Sequence, residues 1–185
     1  SPIPYHLNIL EAFRAISPEK DVDGFSPLNV GKLAQGQECF AACTPLGIMH
    51  LLKAYDIDVE GKHCVVIGRS NIVGRPMAEL LLNADATVTI CHSHTKNLAE
   101  ITKTADVLVV AIGNPKFITA DMIKDGAVVV DVGINRVANS KKIIGDVDFE
   151  NVKEKCSYIT PVPGGVGPMT IITLMDNVVK AYKKA

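Results

Sequence analysis

The segment CVVIGRSNIVGRP at residues 64–76 is a short apolar run that breaks into Gly68, Arg69 and Ser70 before a helical pattern begins. A dinucleotide-binding turn starts this way. Glycine lets the chain leave a strand sharply, and the amides that open the next helix are unpaired donors at its positive end, which suits a diphosphate. The next strand decides which nucleotide. A site built for NAD places Asp or Glu on the ribose hydroxyls about 20 residues after the glycine turn. Here that strand runs into His92, Ser93, His94, Thr95 and Lys96, with no acid. Arg69 and Ser93 in place of a carboxylate suit the extra phosphate of NADP, which is the cofactor this pattern predicts. The fingerprint is not GxGxxG, because five residues separate Gly68 from Gly74. The same glycines would also serve a plain strand-to-helix turn in an unrelated α/β domain.

Other reactive residue types point nowhere as definite. His92 and His94 would need converging ligands to hold zinc, and no such cluster accompanies them. The five cysteines are scattered without a CxxC pair, the usage of a reduced, cytoplasmic chain, with Cys64 and Cys91 as small core residues of strands. A net charge of -1 with acids and bases intermixed makes no case for a nucleic-acid or membrane surface. Lys180, Lys183 and Lys184 are favourable charges at a helix end. The apolar runs at 107–112 and 127–130 have strand length and are far too short to span a bilayer.

The elements that must position these groups alternate regularly after residue 44. At 185 residues and 48% hydrophobic content the chain has material for one domain plus an attached segment. Thr44 and Pro45 read as an N-cap and first helical residue. Strands are predicted at 62–68, 87–91, 105–112 and 127–132, and helices at 74–83 and 97–103 between the first three. This alternation, with strands apolar on both faces, predicts an α/β fold: a Rossmann-like parallel sheet flanked by helices. Ligands of such sheets lie beyond the carboxyl ends of the strands, which places Gly68-Arg69-Ser70, Ser93, Gly113-Asn114-Pro115 and Gly133-Ile134-Asn135 on one rim. Before residue 44 the pattern predicts a helix at 9–16 and a loop at 17–36. Pro168 is predicted to open a final helix whose wide apolar stripe, Ile171, Ile172, Leu174, Met175, Val178, Val179 and Tyr182, must pack on something. Both ends read as pieces of a second α/β lobe, or as segments that simply wrap the sheet.

Four motifs then occur in order: Lys20-Asp21-Val22-Asp23-Gly24-Phe25, Cys43-Thr44-Pro45, the segment from Gly68 to Gly74, and Thr160-Pro161-Val162-Pro163-Gly164-Gly165-Val166-Gly167-Pro168-Met169-Thr170. In these the chain closely resembles the bifunctional methylenetetrahydrofolate dehydrogenase/cyclohydrolase (FolD) family over nearly its whole length. The resemblance implies oxidation of 5,10-methylenetetrahydrofolate with NADP and hydrolysis of the methenyl product to 10-formyltetrahydrofolate. It implies that Thr44, Gly68, Arg69, Ser70, Ser93 and Ile134 hold the cofactor. It further implies that Asp23 hydrogen-bonds the pterin-like ring, and that Pro163, Gly164, Gly165, Val166, Gly167, Pro168, Met169 and Thr170 line the folate and nicotinamide cleft. Tetrahydrofolate one-carbon derivatives as partners and a homodimer are implied in the same way. Taken alone, Asp23 would equally serve as a turn residue before Gly24.

The family's catalytic tyrosine and lysine match nothing in this sequence, and Tyr5 stands in a different context. Ala42 replaces a proline usual in the family. The resemblance therefore implies the carboxyl-terminal part of such an enzyme: residues 1–43 a remnant of the folate lobe, 44–167 the NADP-binding domain, and 168–185 a helix packing back toward the missing lobe. On this reading the chain binds NADP with little or no turnover. Two other functions fit the Rossmann pattern, a non-catalytic NADP sensor or docking module and another two-lobed dehydrogenase of the shikimate dehydrogenase kind, but neither accounts for KDVDGF and PVPGGVGPMT.

Overall fold

The computed structural model describes residues 8–137, 140 and 142–184; Tyr5 and the rest of the first seven positions lie outside them. Along the chain come α1 (Ile9–Ala15), α2 (Pro27–Ala34), α3 (Cys43–Ala54), β1 (His63–Ile67), α4 (Gly74–Leu82), β2 (Thr87–Cys91), α5 (Leu98–Thr102), β3 (Val107–Val110) and β4 (Val128–Asp131). The short β5 (Asn135–Arg136) and β6 (Ile143–Ile144) form an antiparallel pair, followed by α6 (Phe149–Val152), β7 (Tyr158–Ile159) and α7 (Val166–Lys184). The main sheet has the order β2-β1-β3-β4-β7 and every pairing in it is parallel.

Alternation along each strand builds a core on both faces. Cys64 and Val66 of β1, Val107 and Val109 of β3, and Val128 and Val130 of β4 pack with Ile48 and Leu52 of α3 and Met77 and Leu81 of α4. Val65, Ile67, Leu108, Val110 and Val129 point the other way, onto Ile118, Ile123, Val147 and Val152. Each such side chain stabilises the fold by about 1.5–3 kcal/mol when fully buried. β-Branched residues on a sheet covered on both faces explain why these strands are near-continuous apolar runs.

Several sequence expectations need correction. The stretch 17–36 is not all loop: it contains α2, with Ser26 as N-cap, its Oγ accepting from the Asn29 amide at 3.3 Å, and Pro27 opening the helix. Thr44 is not an N-cap. α3 begins at Cys43, Ala42 occupies the cap position without a side-chain bond, and the Thr44 hydroxyl meets that of Thr170 at 2.9 Å. The last helix starts at Val166, two residues ahead of Pro168. Among the described residues the face of this helix that packs is the polar one, and the apolar stripe stays open. Thr173 and Asn177 are buried against α3 and the chain before it, while Ile171, Ile172, Met175, Val178, Val179 and Tyr182 are exposed. Asn177 Nδ2 donates to the Val22 carbonyl at 2.9 Å, and Gly47 lets α3 and α7 close to within contact of Met169 and Thr173.

Candidate functional site

The turn after β1 can be built only with glycine at its two ends. Gly68 has φ +123°, and a Cβ there would run into the Ala111 carbonyl; a Cβ on Gly74 would strike the Gly68 carbonyl. α4 can therefore start directly against the strand, leaving a concave backbone cradle. The Gly68 amide donates to the Cys91 carbonyl at 2.8 Å, which ties this turn to the one after β2. The first amides of α4 are not unpaired, contrary to the sequence expectation. Ser70 Oγ accepts from Val73 at 3.1 Å and Gly74 at 3.4 Å, and the Ser70 carbonyl accepts from Arg75 at 3.0 Å. The hydroxyl and the carbonyl of Ser70 together have taken these donors. Among the described residues, the amides of 69–72 at the crest of the turn make no protein hydrogen bond, so the free donors sit one turn earlier than the pattern suggested.

Beside this cradle the turn after β2 is held by its own polar groups. The His92 amide donates to Thr95 Oγ1 at 2.8 Å, the Thr95 amide to the His92 carbonyl at 2.8 Å, and the His94 amide to His92 Nδ1 at 3.2 Å. His92 Nδ1 is thus an acceptor. Desolvation, then the Arg69 and His94 charges, hold its imidazole below the usual histidine range. Arg69, Ser70 and Ser93 are all exposed at this end of the rim, where an anion from solution can reach them. No acid follows β2, so the chemistry of this corner suits a phosphate rather than ribose hydroxyls.

At the β4 end of the rim lies a cleft of about 630 Å³. Thr44, Ile134, Pro163, Gly164, Gly165, Val166, Gly167, Pro168 and Thr170 line it, so most of the predicted substrate-side residues and two of the cofactor-side ones converge. The loop folds back on itself through the Gly165 amide, which donates to the Pro161 carbonyl at 3.0 Å, and Val162–Pro163 is a cis peptide. Ile134 is 67% exposed and lines the cleft together with Ile143 and Ile171. Met169 faces away, into a separate apolar pocket of about 330 Å³ with Leu51, Tyr55 and Tyr158.

The two acids of the KDVDGF segment have different fates. Asp21 is buried and spent internally, accepting from the Phe25 and Ser26 amides and from Asn29 Nδ2 at 2.7–3.0 Å. Asp23 is exposed, and its nearest polar partner is the Cys43 thiol at 3.8 Å, one residue from Thr44 of the cleft. Burial, then the Asp23 charge, pushes Cys43 up to about 11, so it stays a thiol at neutral pH. Two more buried acids, Asp131 and Asp146, stand beneath the rim. Sequence reasoning misses them, since an Asp closing an apolar strand and an Asp following Gly145 are the only signals they offer. Among the described residues no group of three His, Cys, Asp or Glu side chains is arranged to hold a metal ion, and no helix is long and apolar enough to cross a membrane.

Residues 42–185 match the family model for the tetrahydrofolate dehydrogenase/cyclohydrolase NAD(P)-binding domain. The bifunctional protein FolD of Campylobacter hominis is 63% identical over 182 residues, 98% of this chain and 64% of that protein. The crystal structure of the bifunctional FolD enzyme from Campylobacter jejuni superposes with a TM-score of 0.97 at 58% identity, covering 100% of this chain and 65% of that one. FolD of Trypanosoma brucei, solved with NADP cofactor and an inhibitor, gives a TM-score of 0.94 at 40% identity over 100% of this chain and 65% of that chain. The chain thus spans about 64% of the length of the curated relatives it matches.

Proposed function

The chain belongs to the tetrahydrofolate dehydrogenase/cyclohydrolase family, and we propose that it supplies the NADP-binding portion of an enzyme that oxidises 5,10-methylenetetrahydrofolate to 5,10-methenyltetrahydrofolate and hydrolyses that product to 10-formyltetrahydrofolate. One observation carries this reading: the glycine cradle after β1 and the 630 Å³ cleft beside β4 lie on the same carboxyl edge of one parallel sheet. That edge has the length and polarity for an extended dinucleotide, whose redox end would then face the cleft.

Each residue acquires a role from its place. The amides of 69–72 donate to the diphosphate, while Arg69 and Ser93 take the 2′-phosphate. Ser70 acts indirectly, by accepting from the Val73 and Gly74 amides and fixing the turn's shape. Ile134 packs against the nicotinamide half, and Thr44 with its Thr170 partner presents hydroxyl groups to the same cleft. Loss of hydride from the one-carbon bridge leaves a cation that the adjoining folate nitrogens stabilise, so the chain's main contribution is orientation of the two reactants. NADP supplies the hydride acceptor. Residues 163–168 let backbone approach the reacting rings closely, and Asp23, free of strong internal partners, accepts from ring N–H and amino groups.

The same reading takes residues 1–43 as part of a folate lobe, 44–167 as the nucleotide domain, and the exposed apolar face of α7 as the surface that packs toward that lobe. The reading also takes the whole enzyme to be a cytoplasmic homodimer. Asp23→Ala tests the assignment: calorimetry should return an unchanged NADP affinity, while a folate analogue should lose its protection of residues 163–170 in hydrogen exchange. Collapse of NADP binding in this variant would put Asp23 in the wrong site.

A further inference from the structure

Beneath the rim the strand ends are connected by two carboxylates in series. Asp131, the last residue of β4 and 3% exposed, accepts from the Gly133 amide at 2.9 Å, the Asp146 amide at 3.0 Å and the Val147 amide at 2.9 Å. Asp146, 0% exposed, then reaches across to both neighbouring turns. Its Oδ2 accepts from the Ile112 and Gly113 amides, at 2.8 and 2.9 Å, and its Oδ1 accepts from Asn135 Nδ2 at 2.8 Å. The backbone is shaped around these groups: a Cβ on Gly133 would collide with the Asp146 carboxyl, and one on Gly145 with that of Asp131. Past the end of β3 the Ala111 amide still donates to the Ile67 carbonyl, and the Ile112 and Gly113 amides then turn to the Asp146 side chain.

We propose that Asp146 is a positioning residue for the nicotinamide half of the cofactor: its carboxylate locks the turn after β3 to the turn after β4 and so fixes where Gly133 and Ile134 stand on the cleft wall. This rests on the nucleotide reading above. Six N–H groups converge on the two acids, and fully paired buried acids of this kind rigidify the backbone they bind. The contact made by Asn135 lies at the β4 end of the rim. β4 is three strand steps from β2, roughly 14 Å, and two from β1, roughly 10 Å, so Ser93 and Arg69 stand farther from that contact than Gly133 and Ile134 do.

Asn135→Asp tests this, because it replaces the donor with a second carboxylate facing Asp146. NADP should bind the variant about tenfold or more weakly, while 2′,5′-ADP, which occupies only the phosphate corner, should keep its wild-type affinity. Hydrogen exchange at the Ile112 and Gly113 amides should accelerate in the free protein. Pairing it with Asp146→Asn restores a donor and an acceptor with their places exchanged, and should recover NADP binding. If Asn135→Asp folds poorly, Asn135→Ala removes the donor without adding charge and should show the same split between the two ligands. Unchanged NADP affinity, or equal losses for both ligands, would overturn the positioning role. Failure of the wild-type chain to bind either ligand would instead overturn the nucleotide reading, and this role with it.

Discussion

Asp106 illustrates how single carboxylates set the protein's response to acid. Its Oδ1 accepts from Lys124 Nζ at 2.6 Å and its Oδ2 from the His63 amide at 2.9 Å, and these two bonds, in that order, hold its carboxyl below the usual range. A carboxylate with a depressed folded pKa adds stability above its unfolded value, about 3.9, and loses it as the pH falls through the folded one. The side chain is 35% exposed, so solvent screening keeps the effect to about 1 kcal/mol or less. Asp106→Asn should therefore lower the urea midpoint slightly at pH 7 and make it less sensitive to acid below about pH 4. A midpoint that falls with pH as steeply as in the wild type would show that the bonds do not stabilise the fold. Asp131 works in the opposite sense: burial, only partly offset by its amide donors, raises its pKa, so it weakens the fold as it ionises. Residue roles of this kind were poorly legible in the sequence. Asp21 and Asp23 stand two positions apart in one motif, and only the path of the backbone makes the first an internal acceptor and leaves the second open.

At the scale of elements, the β1 turn and α4 form a unit whose spacing is set by missing side chains. Gly74→Ala would force its Cβ into the Gly68 carbonyl, and the strand and helix would have to separate at a cost of about 1–3 kcal/mol. Calorimetry on the variant should show NADP binding weakened about fivefold or more, because the displaced amides of the turn no longer meet the diphosphate. Gly31 provides the contrast, since it lies inside α2 with nothing within 4 Å of the place an added methyl group would take. Gly31→Ala should raise the melting midpoint, worth about 0.5–1 kcal/mol, and leave affinity unchanged. β1 to β4 and α4 were legible because buried parallel strands are continuous apolar runs and the intervening helix has a strong period. α2 was hidden by its Gly, Asn and Pro content, although Ser26-Pro27 is a proper helix start. The two-residue strands β5, β6 and β7 are too short to carry any periodic signal.

Over the whole molecule, polar contacts bind the chain's early segment to its last helix. Asn177 reaches Val22, Lys184 reaches Glu38, and Thr44 meets Thr170. This polar seam leaves the apolar face of α7 outward, so the expected stripe has no partner among the described residues and stays open for the lobe proposed above. The nucleotide rim runs from the Arg69 corner to the cleft that this seam borders, so both ends of one ligand would be read by a single rigid sheet. A calorimetric titration of the wild-type chain and Arg69→Ala with NADP and with NAD tests that most directly. Clear preference for NADP in the wild type is predicted, with Arg69→Ala losing about 1.5–3 kcal/mol for NADP and much less for NAD. Equal losses for both nucleotides, or no binding by the wild type, would contradict a phosphate-reading Rossmann site at Gly68–Gly74.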